Sequence, residues 1–179
     1  MIVRILTLAS FMLIFFATVP PASAADSREL VNLPPKVKDA FLTEMRGNVI
    51  KLENILAAIA EGNFKEAADI ADIKMGFGHS QLEGMAKQGM STEEILARKQ
   101  KMQRMGHGKG MGQGQGMGRY MPESFRALGQ NFHQASENLA SKARSVGANP
   151  TVKDFRSVIG AVEEVTSACA SCHQAFRVR

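Results

Sequence analysis

Apolar residues recur at steps of three and four along most of the chain, and the runs are punctuated by residues that start or stop helices. The first run opens at Pro34-Pro35, a pair suited to a first helical turn. It carries Val37, Phe41, Met45, Val49, Leu52, Ile55, Leu56 and Ile59 on one stripe. Gly62 is placed to close that helix, and Asn63, with Glu66 three residues later, caps a second one. Its inner face is Phe64, Ala67, Ala68, Ala71 and Met75; Gly76 and Gly78 weaken or end it, with some helix carried on over 81–87. A third helix is expected over 123–146, where Phe125, Leu128, Phe132, Ala135, Leu139, Ala143 and Val146 form a seam. Asn149-Pro150-Thr151 restarts the chain, and a fourth helix carries Val152, Phe155, Val158, Ile159, Val162 and Val165. The same stripe runs on into Cys169, Cys172 and Phe176. Four such helices argue for an all-α protein built as an antiparallel four-helix bundle.

Residues 79–122 break the pattern as a long insertion between helices two and three. Ser91 and Glu94 form a capping-box pair that starts a helix through Ile95, Leu96 and Met102, and its charge content predicts a solvated surface helix. Glycine then occupies every second position from Gly106 to Gly118, which neither holds a helix nor supplies side chains to a strand. A flexible, Gly/Met-rich segment ending at Pro122 is expected.

The N-terminus adds a compartment. Arg4, the uncharged apolar run from Ile5 to Val19, the Pro20-Pro21 break and Ala22-Ser23-Ala24 read as a signal peptide over 1–24, removed before Ala25. The run is short for a membrane span. The remainder, 25–179, suits one exported domain. A net charge of +5 favours an acidic partner surface, but without a basic patch interleaved with aromatics it does not point to nucleic acid. With no tryptophan and one tyrosine, packing falls to aliphatics, methionine and phenylalanine.

The candidate chemistry is at the C-terminus, in Cys169-Ala170-Ser171-Cys172-His173. C-x-x-C-H is the attachment pattern of a c-type haem. On a helix the three side chains share one face, so two thiols can form thioethers with porphyrin vinyls while the imidazole reaches the iron. A redox dithiol would want a βαβ context, and a zinc site a fourth ligand. Both cysteines are thus assigned to a haem, leaving none for a disulfide.

A helical bundle with this motif near the end of its last helix, followed closely by arginine, resembles the cytochrome c′ family. The matching stretch is Cys169-Ala170-Ser171-Cys172-His173-Gln174-Ala175-Phe176-Arg177, and helix count and order extend the resemblance, including Met45-Arg46 in helix one. It lapses over 79–122. The resemblance implies a periplasmic protein with one covalent haem c on Cys169 and Cys172, His173 as axial ligand and Arg177 near the haem edge. A homodimer is also in keeping with it. Low-spin members use a helix-one methionine as second ligand, a position matched by Met45, with Phe41 and Val49 as apolar walls. Members with an open sixth site bind small gases.

His79, His107 and His133 compete less well for that position. His133 follows Phe132 on the seam, and the other two lie in the irregular region. Met102, Met105, His107, Met111, Met117 and Met121 are soft donors that suit Cu(I), although a plain insertion or an adaptable docking surface explains them equally. The first expectation is therefore a one-electron carrier serving a periplasmic redox partner protein. The alternatives are a five-coordinate haem protein binding nitric oxide or carbon monoxide, and a copper-handling protein using the Met/His loop. No nucleophile–base constellation argues for an enzyme.

Overall fold

The computed structural model describes residues 26–105 and 116–179. The leader expected over 1–24, most of the alternating-glycine stretch, His107 and Met111 lie outside the described residues. The described chain is mostly helical. Helix α1, Pro35–Ala60, starts on Pro34 and places Pro35 in its first turn, where the missing N–H has no intrahelical role to lose. It ends in a Schellman turn. Gly62 takes φ 76°, its N–H donates to the Ile59 carbonyl at 3.0 Å, and the Asn63 N–H donates to Ala58 at 2.8 Å.

Helix α2, Phe64–Asp69, is capped by Asn63, whose side-chain oxygen accepts from the Glu66 N–H. It continues directly into a π-helical turn, Ile70–Met75, which stops at the extended Gly76. Helices α3, His79–Lys87, and α4, Thr92–Arg104, follow; then a 3₁₀ turn, Met117–Tyr120, and helices α5, Glu123–Arg144, and α6, Val152–Ala175. Two short strands, β1, Glu29–Val31, and β2, Phe176–Val178, pair in parallel with Glu29 opposite Phe176 and Val31 opposite Val178.

The most extensive packing is α5 along α6, and α2 with its π-turn packs against both α5 and α1. Among the described residues the backbones of α1 and α6 barely approach one another. The main core joins Ile55, Ala58 and Ile59 of α1 with the alanines of α2, Leu139 and Ala143 of α5, and Val158, Val162 and Val165 of α6. Ile55, Leu139, Val158 and Val165 are fully buried, each contributing about 1.5–3 kcal/mol through the apolar surface withdrawn from water. Alanine at the facing positions lets the helices approach closely.

Two stretches of the insertion over 79–122 are helices, close to where its capping box and apolar positions place them, and both are packed rather than solvated. Leu82 of α3 and Ile95 of α4 are buried with Ile73 in a core of their own. The capping box at Ser91 forms as its sequence implies: the Ser91 hydroxyl accepts from the Glu94 N–H at 3.3 Å, and the Glu94 carboxylate accepts from the Ser91 N–H at 3.0 Å. The solvated-face expectation fails at Lys99. That residue is only 6% exposed, and its ammonium donates to Asp72 and, at 2.6 Å, to Glu137. Arg144 closes the network on Asp72 at 2.5 Å and Asp69 at 3.1 Å. A high charge count does not say which charge turns inward; the paired carboxylates decide that.

A second difference lies at the end of α6. The apolar stripe of the sequence reads through Phe176, but the helix stops at Ala175 and Phe176 turns to φ −130°, ψ 152°. Pairing with β1 supplies the backbone hydrogen bonds that another helical turn would have made.

Gly76 and Gly84 give opposite expectations. A Cβ on Gly76 would lie 2.6 Å from the Asp72 carbonyl oxygen and 3.0 Å from Lys99 Nζ, whereas one on Gly84 meets nothing within 4 Å. Gly76→Ala should lower the urea unfolding free energy by about 1–3 kcal/mol through overpacking. Gly84→Ala, inside α3, should raise it by about 0.5–1 kcal/mol by restricting the unfolded chain. Lys99→Ala should cost about 3–5 kcal/mol in the same assay, because it strands buried carboxylates.

Candidate functional site

The cysteine end of α6 is fixed from both sides. At its start Thr151 forms a capping box with Asp154, and the buried Val158, Val162 and Val165 set which face turns inward. About one turn beyond Val165, Cys169 and then Cys172 are half-buried free thiols, while His173, one residue further, is exposed. Burial pushes both thiols up from their ordinary value, with the Cys169 charge adding to the effect on Cys172. They are therefore neutral thiols near pH 7, unlike the attacking cysteine of a redox dithiol, which is held low to be reactive. Among the described residues no three of His, Cys, Asp or Glu close around a common point.

Cys172 packs against an apolar cluster made of Val31, Leu33, Phe41, Met121, Phe125 and Phe176. Met45 and Val37 of α1 pack against the same cluster, as do Met117 and Leu128. Its aromatic centre bridges three elements: Phe41 and Phe125 have ring centroids 5.7 Å apart, and Phe125 meets Phe176 edge-on at 5.0 Å. Met45 and Cys172, expected to serve one site from two helices, are thus brought to one cluster. Phe41, one of the two expected walls, is buried there. Val49, the other expected wall, is instead 68% exposed and takes no part in the cluster.

Arg177, expected near the haem edge, lies on β2, because the helix has ended before it. Its Nε is buried without a hydrogen-bond partner and stands 3.7 Å from Asp26. Arg28, beside β1, donates to the His173 carbonyl at 3.3 Å and to Asp26 at 2.8 Å. A cation over the last carbonyls of α6 also complements the negative end of the helix dipole. Arg28 in turn holds the Asp26 carboxyl well below the usual range. Asp26 thus links Arg177 to Arg28, which reaches the His173 carbonyl.

The histidines named as rivals to Met45 are engaged elsewhere. His133 Nδ1 donates to the Met75 carbonyl at 2.7 Å, at the end of the π-turn, and its ring stacks on His79 with centroids 5.1 Å apart. His79 Nε2 lies 3.4 Å from Glu44, whose carboxyl is drawn down to about 2 by His79 first and then by Lys51. Of the soft donors in the insertion, Met105 is exposed and Met102 packs with Ile73, Leu82 and Ile95, whereas Met117 and Met121 pack beside Cys172.

Sequence reasoning missed β1, Leu33 and the role of Met117 and Met121. Each had a local signal. Val31 and Leu33 stand two residues apart, the strand period, and Met121 precedes the Pro122 that opens α5, whose first turn carries Phe125. The chain matches no family model, no curated protein and no solved structure.

Burial holds His133 below its ordinary value of 6.5, against the pull of the Met75 carbonyl, Glu137 and Glu44 and with His79 opposing its charge. The folded chain then binds fewer protons at this residue than the unfolded chain does just below pH 6.5. Its stabilisation is complete above that pH and is lost as pH falls toward the depressed folded value, with a slope of at most one proton, about 1.4 kcal/mol per pH unit. Urea titrations from pH 7.5 to 5 should show this fall in the wild type and a shallower one in His133→Gln.

Proposed function

We propose that this chain is a periplasmic c-type cytochrome of the cytochrome c′ kind, an antiparallel four-helix bundle that carries one electron at a single covalent haem c. The observation that carries the reading is the meeting of Cys172, from the C-x-x-C-H stretch, with Phe41, Met45 and Phe125 in one apolar cluster. The residues fit such a group. Two neutral, half-buried thiols stand one helical turn apart on α6. The backbones of α1 and α6 stand apart while side chains from both reach the cluster, which suits a flat apolar body held between two helices.

A bound haem supplies the ferric/ferrous couple. Cys169 and Cys172 would hold it through thioethers, and His173 would ligate the iron. Arg28, by donating to the His173 carbonyl, and the pairing of β1 with β2 fix the backbone on which that imidazole stands. Met45 would supply a thioether as a second ligand, and paired thioether and imidazole ligands raise the potential. Phe41, Phe125 and Phe176 would keep water from the group and favour the same direction. Arg177 would lie near the haem edge, and the basic chain favours an acidic redox partner.

The test is the protein exported with its own leader alongside a haem-maturation system. Its intact mass should equal the chain from Ala25 plus one haem, and the haem should survive denaturing electrophoresis. Cys169→Ser with Cys172→Ser should abolish that retention. Met45→Ala should lower the reduction potential, weaken a thioether-to-iron absorption band, and cost about 1–2 kcal/mol of stability as a half-buried methionine. A high-spin spectrum that shifts with carbon monoxide and ignores the Met45 change would replace electron transfer with gas binding.

A further inference from the structure

The insertion returns to the cysteine end of the molecule. After the 3₁₀ turn, the Met121 N–H donates to the Gly118 carbonyl at 3.1 Å and its own carbonyl accepts from Arg126 Nη1 at 2.8 Å. This fixes the backbone of Met121 outside any helix, directly against the first turn of α5. Its side chain is 9% exposed, within the cluster that holds Phe41, Phe125 and Phe176 and against which Met45 and Cys172 pack.

A ring attached at Cys172 must lie against this cluster. Among the hydrophobic side chains gathered there, Met45, Met117 and Met121 bring thioether sulfur, a soft donor that suits a haem iron, and of the three Met121 is the one that is buried. Met45 stands on the long, regular α1, whereas Met121 stands on an extended residue at the exit of a turn. Methionine has three side-chain torsions, so the deeper burial of Met121 does not tie its sulfur to one direction. We infer that Met121 is a second axial thioether, competing with Met45 for the iron position opposite His173, so that the insertion supplies part of the ligand field. The inference rests on the haem reading above. No bond other than the iron–sulfur coordination changes, and each sulfur donates the same lone pair.

The experiment uses the full holoprotein and volume-conserving substitutions, Met45→Leu, Met121→Leu and the pair, each checked by far-ultraviolet circular dichroism. The readout is the thioether-to-iron charge-transfer band of the ferric protein. The band should persist in Met45→Leu at between a third and two thirds of its intensity, fall or shift in Met121→Leu, and vanish in the pair. Loss of the band in Met45→Leu alone overturns the proposal, as does a band that survives in the pair.

A second measurement needs no substitution. In the ferrous wild type labelled with [methyl-¹³C]methionine, an axial methyl is carried far upfield by the ring current. Two such resonances, from Met45 and Met121, are expected, and a single one from Met45 overturns the proposal. Covalent haem without any thioether band overturns it while leaving the cytochrome reading intact. A wild type that attaches no haem overturns both, and haem staining after denaturing electrophoresis tells these cases apart.

Discussion

The cysteine end of the molecule depends on the point at which α6 stops, because one residue further the chain has to choose between another helical turn and a strand. At Phe176 it leaves the helix, and the side chain that would have continued the stripe beyond Cys172 swings into the cluster with Phe125 and Phe41. Two constraints hold that choice. The pairing of β2 with β1 gives the terminal backbone its hydrogen bonds, and Arg28 covers the last carbonyls of α6. Residues 26–31 and 173–179 are therefore one local structure, although they come from opposite ends of the chain.

The interior falls into separate clusters of differing content. The largest is rich in aliphatics and alanine, with Phe64 and Met75 among them, and it draws α2 and its π-turn against α1 and α5, and α5 along α6. The cluster at the cysteine end is built around Phe41, Phe125, Phe176 and Met121, larger and more adaptable groups, with Val31 and Leu33 beside them. It brings a thiol, thioethers and aromatic faces together.

The insertion ties these clusters together by different means. Its helices α3 and α4 have a small core of their own, but α4 is also held by Lys99 reaching between Asp72 on the π-turn and Glu137 on α5. Burying an ammonium is unfavourable unless carboxylates flank it, so this contact is specific about where α4 sits more than it is stabilising. The π-turn places Asp72 inward for that role, next to the carbonyl of Met75 that accepts from His133. Downstream, the residues that lead into α5 deliver Met117 and Met121 to the cysteine cluster.

The sequence by itself determined the helices, their caps and most of the core. The start at Pro34-Pro35, the stop at Gly62, and the caps at Asn63, Ser91 and Thr151 all form, because capping is settled by neighbours three or four residues apart. The three-and-four periodicity likewise found Ile55, Leu139, Val158 and Val165, and the C-x-x-C-H pattern named Cys169, Cys172 and His173. Long-range contacts decided the rest. Whether Phe176 continues a helix depends on Val31 and Glu29, some 145 residues away. Whether Lys99 faces water depends on Asp72 and Glu137, and whether Met121 joins Met45 depends on how α1 lies beside α5. Local propensity cannot encode a partner that arrives only when the chain folds, so these placements belong to the tertiary structure alone.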